Sequence, residues 1–343
     1  MDRIISASGT IPGLGFGAST LGNLYRPVAD DIASLAVRTA IDHGIRYFDT
    51  APFYGFGLSE RRVGDALRER PADILLSTKV GRLLVPDTAP RTQERHGFVS
   101  PMPFKPVFDY SHDGILRSHA ESLQRLGLAR IDILLVHDIG RMTHGDAHAQ
   151  YWHQLTKGGG FRALEQLRTE GTIVGFGLGV NETAVCLDAL QETAPDVFLL
   201  AGRYTLLEQG ALDDLLPACL AQGVAVVIGG PYNSGILATG TRSGGARPYN
   251  YAPAPAAILD RVARIEEIAD SHGVPLAAAA LQFPLAHPAV VSVVPGLASA
   301  EQVEQTVKLH ATVIPQAFWH DLRDAGLLHP DAPLPVAHQR AIV

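Results

Sequence analysis

Residues 44–79 read GIRYFDTAPFYGFGLSERRVGDALRERPADILLSTK, and this stretch decides the fold. An apolar strand over 45–48 runs into Asp49. A loop of Pro and Gly carrying Tyr54 follows. Ser59 and Glu60 open a helix over 59–70, where an acidic first-turn side chain suits the helix dipole. A second strand over 74–78 ends at Lys79. A carboxylate and an ammonium thus stand at the C-terminal tips of successive strands, with a phenol between them. These are groups that move protons, and α/β folds build their sites at strand tips.

Outward from there the rhythm repeats. Strands are expected at 14–17, 131–136, 172–178, 197–200, 224–228 and 290–294. Between and after them, helices are expected at 113–126, 161–169, 182–191, 211–221, 256–271, 275–286 and 300–310, with Pro217 a kink point in the fourth. Another helix is capped by Asp30 or Asp31 and ended by Gly44. Short continuous Val/Ile/Leu runs mark strands buried on both faces. Their unbroken alternation with helices favours one closed (β/α)8 barrel over 1–343 rather than two doubly wound domains. Long connections fall at 81–112, 138–160 and 229–255. The first is rich in Pro, Arg and aromatics and has no period, so it reads as a flap over the strand tips. The tail after Ile314 reads as capping helix and Pro-rich coil.

Composition removes several classes of function. The net charge is −7 and no Lys/Arg cluster is present, which argues against nucleic acid. Cys186 and Cys219 lie in half-apolar helical patterns and are expected as buried free thiols. The start, MDRIISASGTIPGLGFG, lacks a basic segment followed by an apolar run, so no signal peptide is expected. No run of 18 apolar residues suggests a membrane span, and a cytoplasmic address is expected.

The barrel reading brings Asp49, Tyr54, Lys79 and His137 to one mouth, since each lies at or just beyond a strand end. A phenol, with an ordinary pKa near 10, is a poor acid or base at neutral pH. A neighbouring ammonium should lower that value, and Asp49 should hold Lys79 charged and in place. A plain salt bridge and a loop tyrosine would explain any one of these residues; four at strand tips favour a site. Gly229, Gly230, Pro231, Tyr232, Asn233, Ser234 and Gly235 follow a strand, and glycines there let backbone amides approach a pyrophosphate. An ordinary βα turn rarely needs such a series. His144 and His148 are four apart with no carboxylate motif around them, so no metal is expected.

The segments YFDTAPFYGFGLSERRVGDAL, LLSTKVG, FDYSHDGILRSHAESLQRLGLARIDILLVHD and VVPGLASAEQVEQ together resemble the aldo-keto reductases, in order and over nearly the whole chain. The resemblance implies an aldo-keto reductase type barrel and a nicotinamide cofactor bound without a Rossmann domain. It makes Tyr54 the general acid/base, Lys79 and Asp49 its tuning pair, and His137 the substrate orienter. VHDIGRMTHG and LLAGRYTLLEQ…IGGPYNSGILATG are similar to the family's aldose 1-dehydrogenase branch, whose members act on L-fucose, L-galactose or D-arabinose type sugars or on pyridoxal. The expected reaction is therefore oxidation of an aldose at C1 to its lactone. Alternatives are oxidation of pyridoxal, a general carbonyl reductase and, remotely, a non-catalytic nucleotide-binding subunit. The expected partner is a small sugar or aldehyde, taken by a monomer or homodimer.

The resemblance also places the cofactor. Its phosphates meet the 229–235 turn, and its adenosine half meets Pro295, Gly296, Ala298, Ser299, Gln302 and Gln305. Gly17, Ala18, Ser19 and Asp49 would line the nicotinamide floor, with Asn181 the carboxamide partner. Basic residues that meet the 2′-phosphate of NADP in the family stand here as Ala298 and Gln302, and no Lys or Arg occurs over 290–306, so NAD is preferred. Phe53, Phe56, the 81–112 flap, the 140–160 loop and Arg203 should build the substrate pocket, with Arg203 bonding substrate or pairing with Glu208. Arg203, Tyr204, His112 and Asn233 could serve a polyol; Phe53, Phe56 and Tyr232 could wall a flat pyridine.

Overall fold

The computed structural model describes residues 5–6, 9–68, 73–88, 93–242, 248–250 and 252–336. The expected last helical residues 69 and 70, and parts of the 81–112 and 229–255 loops, lie outside them. Eight strands run parallel in one sheet: β1 (Gly15–Gly17), β2 (Tyr47–Asp49), β3 (Leu75–Val80), β4 (Ile133–His137), β5 (Gly175–Val180), β6 (Val197–Ala201), β7 (Ala225–Gly229) and β8 (Val290–Val294). Parallel bridges Leu14–Val293 and Gly17–Gly296 join the first strand to the last, which makes the sheet a barrel. All eight fall where the apolar runs predict them.

The reason is burial on two sides. Tyr47, Leu75, Ile133, Leu135, Val197, Leu199, Val227 and Val294 point inward and fill the barrel with Ile11. Phe16, Phe48, Leu76, Leu134, Phe176, Phe198, Ile228 and Val293 point outward into the core shared with the helices. A strand apolar on both faces shows no alternation. The helix His112–Leu126 starts on Ser111, whose hydroxyl accepts from the Gly114 N–H, and ends on left-handed Gly127. The helix Leu58–Leu67 packs so closely on its end that a Cβ at Gly64 would sit 1.8 Å from the Leu126 carbonyl oxygen.

The connections differ from expectation. The 81–112 segment contains a hairpin, Arg82–Pro86 antiparallel to Phe104–Phe108. Pro86 and Pro106 disguise it, since proline reads against a strand. The 138–160 segment folds into short helical turns over Arg141–His144, Gly145–Ala147 and His148–Leu155. Pro217 does not kink a helix: the helix is Leu215–Gln222, so Pro217 lies in its first turn, where its missing N–H costs nothing. Cys186 and Cys219 are buried free thiols. No helix of the described residues is long and apolar enough to cross a membrane.

Candidate active site

At the C-terminal mouth, β2 ends on Asp49, β3 carries Lys79 and β4 ends on His137. Lys79 is 1% exposed and Asp49 4%. Lys79 Nζ donates to Asp49 Oδ2 (2.7 Å) and to the Thr50 carbonyl (3.0 Å). The ammonium also lies 4.9 Å from the centre of the Tyr54 ring, close enough for its charge to act on the phenol. Ser77 donates to Asp49 Oδ1 (2.7 Å) and stands 3.0 Å from the Tyr47 hydroxyl. The carboxylate is thereby fixed from both sides. Burial is the largest influence and opposes the Lys79 charge, but Asp49 and Tyr54 together outweigh it and hold the amine above its ordinary range. Burial also pushes the Tyr54 phenol up, to about 12, although Lys79 pulls it down. The expected net lowering by Lys79 is therefore corrected: in the protein alone, desolvation wins.

The imidazole of His137 stands across from Tyr54, ring centres 5.9 Å apart and edge to face. Burial, then Arg82 and Lys79, hold it well below its ordinary pKa, so it is neutral at physiological pH. Its Nδ1 is buried without a partner, while Nε2 lies 3.5 Å from Asp138 Oδ2. A carboxylate beside Nε2 and an orphan lone pair at Nδ1 assign the proton to Nε2, because a buried unpaired N–H is the rarer defect. His137 is thus a hydrogen-bond donor. Asp138 is paired with Arg82, which rises from the flap hairpin and stacks 4.1 Å over the Phe53 ring.

These groups open into one cavity of about 1060 Å³. It runs from Tyr54 and Phe53 past Asn181, Gly229 and Tyr232 to Gln302 and Gln305. At Gly230 and Gly235, both with positive φ, an added Cβ would meet nothing within 4 Å, so the backbone borders open space there. Such a long, glycine-edged cavity fits a dinucleotide with a small substrate at one end.

A model of the aldo/keto reductase family matches residues 13–326. The chain belongs to the aldo/keto reductase family. It is 48% identical to a pyridoxal 4-dehydrogenase of Microbacterium luteolum, covering 93% of this chain and 95% of that protein. It is 40% identical to a D-threo-aldose 1-dehydrogenase of a Pseudomonas species, again over 93% and 95%. The holo form of aldo-keto reductase AKR11C1 from Bacillus halodurans superposes with a TM-score of 0.69 at 25% identity, covering 92% of each chain.

This aldo/keto reductase brings most of the residues read from sequence to the cavity. Gly17, Ser19, Asp49, Asn181, Gly229, Gly230, Tyr232, Asn233, Gly235, Gly296, Gln302 and Gln305 line it, as do Phe53, Tyr54, Lys79, His137 and Arg203. Six do not. Ala18 is sealed beneath the floor, where its carbonyl accepts from Ser59. Pro295 accepts from the Gly17 N–H and closes the barrel. Pro231 and Ala298 are buried behind the wall. Ser299 caps the helix Ala300–His310, and Gln302 returns a bond to the Ala298 N–H (2.8 Å). Phe56, 1% exposed, packs behind Phe53 against Phe98 and Leu84.

Other assignments change as well. Arg203 is not paired with Glu208; its Nε donates to the Asn181 carbonyl (2.6 Å) and Nη1 to Asn250 (2.9 Å). Glu60 is fully buried and binds Thr78 and Arg125, so it anchors β3 rather than merely facing the helix dipole. His144 meets the Tyr110 hydroxyl and His148 the Ile139 carbonyl. Among the described residues, no three His, Cys, Asp or Glu gather as metal ligands. The expected flap does line the substrate end, through His96 and Phe98, whereas no residue of 140–160 lines the cavity; Asp138, which the sequence does not single out, joins the wall instead. The letters VHD did carry a signal for the last, a charge directly after the imidazole at a strand tip.

Proposed function

We propose that this aldo/keto reductase is an NAD-dependent dehydrogenase that oxidises the cyclic hemiacetal of pyridoxal to its lactone. The observation that carries the substrate is the wall around Tyr54. Phe53 stands edge-on to Phe98 (5.5 Å) and to His137 (6.0 Å), and Tyr54 lies 6.4 Å from Phe98. Flat aromatic substrates suit such walls. The donors suggested for a polyol are otherwise engaged. Tyr204 is fully buried, and His112 faces Asp113. Asn233 is held between Thr205 and Gly202, and Arg203 between Asn181 and Asn250. The 48% identical relative supports the same choice. Oxidation of an aldopyranose is the second reading, favoured by the 40% identical relative.

Both substrates react as lactols, and the chain's groups suit that step. Tyr54 takes the proton from the lactol hydroxyl, and Lys79, held by Asp49, stabilises the phenolate. His137 donates from Nε2 to the same oxygen and fixes its position. Bound nicotinamide supplies the hydride acceptor. NAD is favoured because, among the described residues, Lys79 and Arg203 are the only lysine or arginine lining the cavity, and neither lies at its Gln302–Gln305 end. A 2′-phosphate there would lack charge-assisted bonds.

Reduction of NAD and NADP should be followed with pyridoxal, L-fucose, D-arabinose and L-galactose. Pyridoxal with NAD should give the highest kcat/KM, about 10-fold or more above NADP, the worth of one charge-assisted bond. A sugar leading the series would overturn the substrate, and NADP leading would overturn the cofactor.

A further inference from the structure

Asp138 has a place that the acid–base groups and the cofactor cavity leave unused. It follows His137 at the tip of β4 with a φ of 47°, a left-handed conformation that aspartate adopts more readily than most non-glycine residues. Its N–H donates to the Gly179 carbonyl (3.0 Å), which pins it to β5. Its side chain lines the cavity, and its bonds within the protein run through Oδ2, to Arg82 and towards His137 Nε2. Arg82 is itself 5% exposed and clasped between the rings of Phe53 and Phe108. A carboxylate locked this firmly, beside the imidazole that holds the reacting oxygen, is built to read the substrate.

We propose that Asp138 is a specificity-determining residue whose carboxylate, held by Arg82, accepts a hydrogen bond from a substrate hydroxyl one or two carbons from the reacting carbon. The geometry leads there directly. His137 Nε2 marks the reacting oxygen, and the Asp138 carboxylate is 3.5 Å from that nitrogen. A substrate hydroxyl one or two carbons from the reacting carbon comes within reach of a carboxylate so placed. The inference rests on the lactol reading above: in pyridoxal the group is the hydroxyl on the ring carbon adjacent to the one that bears the aldehyde, and in an aldopyranose the 2-hydroxyl. One carboxylate therefore serves both substrate shapes. An acceptor such as an ether at that position would face an unpaired carboxylate and be rejected.

The test compares NADH-dependent reduction of 3-hydroxypyridine-4-carbaldehyde with that of pyridine-4-carbaldehyde. The wild type should favour the hydroxylated aldehyde by about 10- to 100-fold in kcat/KM. Asp138→Asn should lower that ratio about 10-fold, because the acceptor is no longer charged. The double variant Arg82→Leu/Asp138→Leu removes the pair as a unit, leaves no orphan charge, and should lower the ratio further. Binding of both aldehydes to the NADH complex, read by nicotinamide fluorescence, gives the same ratio without turnover. A ratio unchanged in both variants would overturn the proposal. Because these aldehydes are not pyridoxal, failure to oxidise pyridoxal strikes only the function proposed above.

Discussion

Tyr54→Phe is expected to lower kcat for lactol oxidation by about 10²- to 10⁴-fold, the usual worth of a positioned acid–base group. The loss follows from one missing oxygen. The Tyr54 hydroxyl is the titratable oxygen that meets both the Lys79 ammonium and the imidazole side of the mouth. Its ring also packs against Phe98, and a phenylalanine keeps that contact. Nicotinamide binding, measured by fluorescence quenching, should therefore be almost unchanged, and KM should move far less than kcat. His137 is not placed to take over, because the imidazole is kept neutral with its proton on the nitrogen that faces the substrate. Undiminished kcat in this variant would remove Tyr54 from the chemistry.

Lys79→Met should damage both stability and activity, and a second substitution should separate the two effects. The variant leaves Asp49, 4% exposed, without its ammonium, and breaking one half of a buried pair costs about 3–5 kcal/mol. The chemical denaturation midpoint should fall accordingly. Asp49→Asn/Lys79→Met leaves no unpaired charge and should regain most of the lost stability. It should not regain activity, since the phenolate of Tyr54 then has no cation beside it. Equal instability of the single and double variants would show that packing, not charge, governs the pair.

Much of this was legible because of how a barrel buries its parts. Strands apolar on both faces stand out as unbroken runs, and a polar residue ending such a run, like Asp49 or His137, is conspicuous. Tertiary pairing was less visible. Glu60 looks like a helix-start carboxylate until the fold sets it against Thr78 and Arg125, 18 and 65 residues away. Phe53 and Phe56 look equivalent in sequence, yet the turn between them, with φ of 64° at Gly55 and 55° at Phe56, sends one ring into the cavity and the other behind it. The net shift of Tyr54 could not be read either, since the ammonium was visible in the letters and the desolvation was not. Asp138 escaped for a similar reason: its role depends on Arg82, which a hairpin disguised by prolines brings to it.

Central to the proposed chemistry is direct hydride transfer beside the Tyr54 phenol. Pyridoxal deuterated at its aldehyde carbon tests it most directly, with the NADH formed analysed by mass spectrometry and NMR. One deuterium at the nicotinamide C4 for every lactone produced is the predicted result. Lactone formed with unlabelled NADH, or with the deuterium lost to water, would contradict it.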